Sequence, residues 1–349
     1  MNEISGIAPS LKNAGIFWVH NDSDNDAFIY GISISCSVVC VLKIENTSHT
    51  DWEDICTGKG PDSSKNYIYI GDIGDNNSVR TVKSIIRIEE PDLSNLEKVD
   101  TLIYSNPDVL YFTFPDAVHD CEALMIDNLK RDLILVSKRL NNEKVYCFPY
   151  PQRLSDTTEL EFLCELPFGN EGFTSSGVTC GDISQDGTEI LMKTYGSVYY
   201  YQRSQNESIK DALSKQAQQV SVYSMEPQGE GICWSPSADA FYTISEESPF
   251  KITPHLYSYQ KKNSEIIDSN SVLFGFSVSL NRETKCLSIN GISSDNSFIR
   301  IYNMKGKVVL SLELEQGNNK MNLEELNRGV YIYRIHDGKD TFKGKINLD

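Results

Sequence analysis

The sequence predicts an all-β protein, a β-propeller of about five blades over residues 1–268 followed by a small Ig-like β-sandwich over residues 272–349. Three observations predict it. A strand–turn–strand pattern recurs five times. Each copy is followed by further runs rich in Val, Ile, Tyr and Phe and bounded by turn residues. From about residue 272 the recurrence stops and short, closely spaced strands take over. Units of about four strands repeated at roughly 50 residues are the mark of propeller blades.

The copies cover residues 4–23, 52–76, 121–139, 180–196 and 229–248, with apolar anchors at Ile7, Ile55, Leu124, Ile183 and Ile232. Strand-like runs follow each: AFIYGIS and VVCVLKIE after the first, SIIRIEEP and LYFTFPD after the second, KVYCFPY and LEFLCELP after the third. SVYYYQR and VSVYSM follow the fourth, and HLYSYQ the fifth. One stretch, SIKDALSKQAQQ, has the composition of a helix. The fifth unit has no clear fourth strand, so ring closure stays open, and a sixth, degenerate blade is the alternative.

Composition narrows the function. A formal net charge of −17 opposes nucleic acid and anionic membranes as partners, since phosphates would be repelled. No run of about 18 apolar residues is present to span a membrane. The opening MNEISGIAPS reads as a folded domain rather than a leader, which leaves the compartment open. Nine cysteines are scattered without a CxxC pair, which disfavours a zinc knuckle. Several sit in apolar runs, where Cys is a small core residue. One or two disulfides remain compatible with the spacing.

The C-terminal texture is more specific. Ile299–Val309 reads I-x-I-Y-N-x-x-G-K-V-V, Leu323–Ile335 reads L-x-x-L-x-x-G-V-Y-I-Y-R-I, and the chain closes on K-G-K-I-N-L at Lys343–Leu348. These pieces resemble the C-terminal sorting domain of the type IX secretion system. The family's opening Pro-Asn-Pro turn is replaced here by SVSLNRETKCLSI, which blurs where the domain begins. The resemblance implies engagement of the secretion machinery and export across the outer membrane of a Gram-negative bacterium. The protein would then be secreted or held at the cell surface. An accessory β-sandwich without a sorting role is the plainer alternative.

The repeats carry HNDSDNDAFIYGI, DWEDI, YIGDIGDN, DCEAL, TCGDISQDG and QGEGI. These resemble motifs of an uncharacterised family of secreted bacterial propellers whose relatives include phytase-like and lactonase-like propellers. The likeness covers about residues 3–260 and implies no single reaction.

In a propeller the first strand of each blade lines the central channel, and loops on one face carry the binding groups. The recurring inner position holds Ser5, Glu53, Glu122, Gly181 and Glu230, and the next holds Gly6, Asp54, Ala123, Asp182 and Gly231. Carboxylates converging on one axis repel unless a cation or protons intervene. An oxygen-only set suits a hard divalent ion, Ca²⁺ first. Glu53, Asp54, Glu122, Asp182 and Glu230 are therefore the expected metal ligands. The plainer alternative is that they cap strand backbone or pair with Lys and Arg. His20, Glu122 and Glu230 are the candidate catalytic groups. The ends of the second strands supply candidate ligand contacts: Asp22, Asp72, Asp75, Asn76, Lys138, Arg139, Lys193, Tyr195 and Glu246. No nucleophile elbow, P-loop or H-E-x-x-H is present.

Two functions follow. One is a secreted cation-dependent hydrolase, phosphoesterase- or lactonase-like, acting on a small molecule at the channel mouth. The other is a non-catalytic module that binds a glycan or protein through aromatic residues such as Trp18, Trp52 and Trp234.

Overall fold

The computed structural model describes residues 3–22, 27–47, 49–96, 99–138, 142–168, 177–220, 223, 226, 228–247, 255–261, 277–281, 285–292, 296–303, 306–337 and 340–348. The chain is all-β, with one short helix among the described residues. Two compact units divide it: Met1–Gln219 with Glu226–Ser258, and Val220–Met225 with Tyr259–Asp349.

The first unit is built of antiparallel meanders. Strands β1 (Ile4–Pro9), β2 (Ile16–Asn21), β3 (Phe28–Ser33) and β4 (Val38–Ile44) pair in chain order. The second sheet starts with β5 (Trp52–Lys59), β6 (Asn66–Asp72) and β7 (Lys83–Glu89). The chain then crosses back. Strand β8 (Asp100–Tyr104) lies parallel to β4 on the edge of the first sheet, and β9 (Asp108–Thr113) returns to pair with β7. The third sheet repeats the device. After β10 (Cys121–Asp127), β11 (Asp132–Ser137) and β12 (Glu143–Phe148), the two-residue β13 (Thr158–Glu159) joins β9 in parallel. Strand β14 (Glu161–Leu166) then pairs with β12. Neighbouring sheets are thus stitched by borrowed edge strands, which also covers edges that would otherwise be open.

The fourth sheet holds β15 (Val178–Ile183), β16 (Glu189–Thr194), β17 (Val198–Gln202) and, after α1 (Ile209–Leu213), β18 (Gln218–Gln219). The expected helix over 208–219 shrinks to α1. Ser208 caps it by accepting the Asp211 N–H at 3.0 Å, and Gln218 and Gln219 are drawn into backbone pairing with Tyr200 and Tyr199. The fifth sheet has three described strands, β19 (Gly229–Trp234), β20 (Ala240–Ser245) and β21 (Leu256–Gln260). The expected strand VSVYSM falls mostly outside the described residues.

The first strands adjoin in cyclic order: β1 beside β5, β5 beside β10, β10 beside β15, β15 beside β19, and β19 beside β1. No sheet closes on itself by hydrogen bonding among the described residues. These strands are buried almost throughout, on both faces, so they show no alternation of apolar and exposed polar residues, and their acids are buried with them. Cores lie between successive sheets. In the third sheet Ala123, Met125, Ile134 and Val136 face the fourth, while Leu124, Ile126, Leu133 and Leu135 face the second. Trp18, Ile29 and Leu42 pack with Ile55, Ile70 and Ile86 between the first two sheets. Ile7, Phe17 and Val19 pack with Cys233 and Ile244 between the first and fifth. All nine cysteines are unpaired thiols, and most are core residues.

The second unit contains β22 (Ser277–Asn281), β23 (Cys286–Ile292), β24 (Ser297–Asn303), β25 (Val308–Leu314), β26 (Gly317–Asn322), β27 (Gly329–Asp337) and β28 (Asp340–Leu348). One sheet runs β22-β23-β26 and the other β25-β24-β27-β28. Leu287, Ile289 and Met321 from the first share one core with Ile299, Ile301, Ile335 and Ile346 from the second. No described helix is long and apolar enough to cross a membrane.

Candidate functional site

Each inner strand breaks register with its partner at one residue, a β-bulge. The unpaired residues are Ser5, Glu53, Glu122, Thr179 and Glu230, all buried. Four of these match the expected inner positions. In the fourth sheet the bulge falls on Thr179, so the counterpart of Ile7 and Ile55 is Gly181, and the anchor at Ile183 was two residues too far along. A shift of two preserves the face on which every side chain lies, so apolar pattern alone does not detect it.

In four of the five sheets the residue two before the bulge fixes a loop. The carbonyls of Glu3, Asp51, Asp120 and Gln228 accept backbone N–H groups from Asp22, Ile73 and Gly74, Lys138 and Glu246, at 2.8 to 3.1 Å. The loops that leave the second strands of four sheets are thereby tied beside the bulges.

Carboxylates gather there. Oxygens of Glu53, Asp120 and Glu122 lie within 4.8 Å of one another, as do those of Asp22, Asp51 and Glu53. Asp51 and Asp120 were absent from the expected ligand set. The signal that finds them is an Asp-x-Glu spacing shared by Asp51–Glu53 and Asp120–Glu122. Burial and mutual repulsion show in their titration. Burial, then Asp22 and Asp120, pushes Asp51 up to about 6. Burial, with Glu122 and Asp22 beside it, holds Glu53 well above the usual carboxylate range. Glu122 is pushed up to about 7, first by burial, with Glu230 and Asp120 adding to it and Lys138 opposing. Burial and the nearby Glu230 raise Glu246 to about 8.

One ammonium stands among these acids. Lys138 Nζ lies 3.0 Å from Glu122 Oε2, both side chains buried, and 5.2 Å from the centre of the Tyr195 ring. The Tyr195 hydroxyl donates to Glu230 Oε1 at 2.5 Å. Glu230 Oε2 is buried with no hydrogen-bond partner among the described residues.

Asp54 and Asp182 lie outside both triads, and each clamps backbone. Asp54 accepts the N–H of Ile55 and, across to the third sheet, that of Leu124, both at 2.9 Å. Asp182 accepts the N–H of Ile183 and, across to the fifth sheet, that of Trp234, both at 2.8 Å. Asp72 and Asp75 build the loop after β6. Asp72 accepts from the Asp51 N–H and from Arg80, and Asp75 accepts from the N–H groups of Val79 and Arg80 and pairs with Lys83. The Asp75 N–H in turn donates to Asp120 at 2.7 Å. Asn76 lies in the exposed part of this loop. Lys193 is buried and donates to the Gly229 carbonyl. Glu246 accepts from Gln228 Nε2 at 2.8 Å. Arg139 lies outside the described residues. His20 is fully buried, with Nδ1 2.9 Å from the Asn21 carbonyl and its ring edge-on to Trp52. Burial holds its pKa down at about 4.

Residues 281–348 match the family described as the secretion system C-terminal sorting domain. No curated protein matches the chain. Among solved structures, the chain is similar to PorZ, a bacterial surface component of the type-IX secretion system of Porphyromonas gingivalis, at 13% identity and a TM-score of 0.36. That match covers 98% of this chain and 51% of PorZ, so the chain spans about half the length of PorZ. A second similarity is to Kuenenia stuttgartiensis hydrazine synthase, at 11% identity and a TM-score of 0.35, covering 70% of this chain and 65% of that one. Likenesses this distant carry no argument about fold or activity. The sorting domain carries one: the protein is exported across the outer membrane, to the cell surface or beyond it, through the type IX machinery.

Proposed function

We propose that the five sheets of the first unit are the blades of a β-propeller of the secreted bacterial kind, and that the second unit is an Ig-like sandwich. We further propose that the protein is a divalent-cation-dependent hydrolase whose site is the bulge end of the inner strands. Glu53, Asp120 and Glu122 would hold the ion, Ca²⁺ first, because the donors are all carboxylate oxygens. The observation that carries the reading is the approach of three buried carboxylates within 4.8 Å, a cost in repulsion and desolvation that a cation offsets. A bound divalent ion would polarise an ester or phosphoryl oxygen. Glu230, with one oxygen bonded to Tyr195 and the other without a partner among the described residues, is the candidate group for moving a proton. His20 is set aside for that role, since its ring is shut in beside backbone carbonyls. The binding-module alternative loses its motive, because Trp18, Trp52 and Trp234 are all core residues.

The test is metal analysis of purified protein, with a panel of phosphate esters and lactones assayed in CaCl₂ and in chelator. Bound calcium with activity lost in chelator and in Glu122→Gln supports the reading. No binding of Ca²⁺, Mg²⁺ or Mn²⁺ to the wild-type chain would sink it.

A further inference from the structure

A positive charge already stands among the carboxylates at this end of the inner strands, and it is not on the surface. Lys138 is about as buried as the acid it pairs with, its side chain 4% exposed against 5% for Glu122. Its position is fixed from both ends. Its backbone N–H donates to the carbonyl of Asp120, itself a member of the Glu53–Asp120–Glu122 triad, at 2.9 Å. Its ammonium is 3.0 Å from Glu122, 3.5 Å from the Tyr195 hydroxyl, and close enough to Glu230 and Glu53 that both stabilise its charge. Glu53, Glu122 and Glu230 are the bulge residues of three different sheets. A single ammonium therefore answers to carboxylates from three sheets. The second observation is Glu230 Oε2, buried and without a hydrogen-bond partner among the described residues, which leaves acceptor capacity unused on an acid that Lys138 already feels.

We infer that Lys138 is the built-in counter-ion of this site, holding the place a divalent cation takes, and that it sets the threshold for cation binding by competing for Glu122. The inference rests on the cation reading above and adds its regulation. An ammonium beside Glu122 cancels one carboxylate and repels an incoming divalent ion. Weakly bound and monovalent ions are thereby refused, and only an ion that gains more from the oxygens than the ammonium does can enter. Tyr195 already lies beside the ammonium, its ring centre 5.2 Å from Nζ, and would keep a cation–π contact with it when Glu122 turns to the divalent ion.

The experiment is calorimetric titration of CaCl₂ into the full chain at pH 8, for the wild type, Lys138→Met and Lys138→Arg. Methionine keeps the buried stem and removes the charge. Removing a positive charge within a few ångströms of a divalent ion should tighten binding by at least about tenfold, while the arginine variant stays near the wild type. Tighter binding by the methionine variant supports the inference. If the wild type binds and the methionine variant binds equally or more weakly, the competition is wrong and the cation reading stands. Binding by the methionine variant alone means that lysine fills the site permanently: the inference holds and the reading for the wild type falls. If neither binds, both fall. Should Lys138→Met fold only with calcium present, that rescue counts in favour. Should it not fold at all, ¹⁵N-lysine spectra of the wild type decide, since saturating CaCl₂ must move the Lys138 Nζ resonance, and an unmoved resonance overturns the inference.

Discussion

Glu53 and Asp54 are neighbours of like charge with opposite tasks. The bulge turns Glu53 towards the other acids, while Asp54 spends both oxygens on backbone N–H groups of its own strand and the next sheet. Asp54→Ala leaves two buried donors unpaired, at about 1–3 kcal/mol each. The expected loss is about 2–6 kcal/mol in urea unfolding. Glu53→Gln removes a repelled charge instead and should cost under about 1 kcal/mol. Equal losses for the two would contradict this division of labour. Residue type did not reveal the division in advance, since both positions are carboxylates in an inner strand. What separates them is one register break, and a bulge leaves no mark in the apolar pattern.

At the scale of the element, the loop after β6 is shaped to let two carboxylates approach. A Cβ on Gly74 would sit 2.2 Å from Glu53 Oε1 and 2.6 Å from the Asp51 carboxylate. Both are ends of flexible side chains, so Gly74→Ala should leave the fold within about 0.5 kcal/mol of the wild type and spread the acids. Calcium affinity should fall while the melting temperature without calcium barely moves. A stronger lock joins the third and fourth sheets, where Arg203 Nη1 and Nη2 meet Asp127 Oδ1 and Oδ2 at 2.8 and 3.0 Å, fully buried. Arg203→Met strands a buried carboxylate and should cost about 3–5 kcal/mol, read by chemical unfolding. Strands rich in Val, Ile and Tyr were legible because burial demands them. Strands β8 and β13 were not, because they are short, largely exposed and belong to the neighbouring sheet, a pairing set by where the chain travels. The helix was overread because Ala, Lys and Gln favour helix locally, while a sheet edge claimed the two glutamines.

The whole molecule adds two consequences, one of assembly and one of charge. Among the described residues, the core cluster of the second unit is drawn from residues 287–348. Removing residues 277–349 should therefore leave the first unit folded, with β-type circular dichroism and a cooperative melt, and stop the chain short of the cell surface in fractionation. The charge consequence follows from the acids at the bulges. Asp51, Glu122 and Glu246 have pKa values raised to about 6, 7 and 8, chiefly by burial, against about 4 in an unfolded chain. Between those values the folded protein keeps protons that the unfolded chain has released, so folding takes up protons. The stability these groups contribute is complete below about pH 4 and is lost as pH rises through 6 to 8. His20 acts in the opposite sense. Its pKa is lowered to about 4 by burial, so its contribution is present above about 6.5 and lost as pH falls towards 4. In chelator the melting temperature should therefore rise as pH is lowered from 9 to about 5, the three raised acids outweighing the one lowered histidine. Saturating calcium, doing the work of the protons, should flatten the alkaline limb. A melting temperature that is level from pH 6 to 9 in chelator would mean that these carboxylates are not forced together, and would remove the ground for a cation among them.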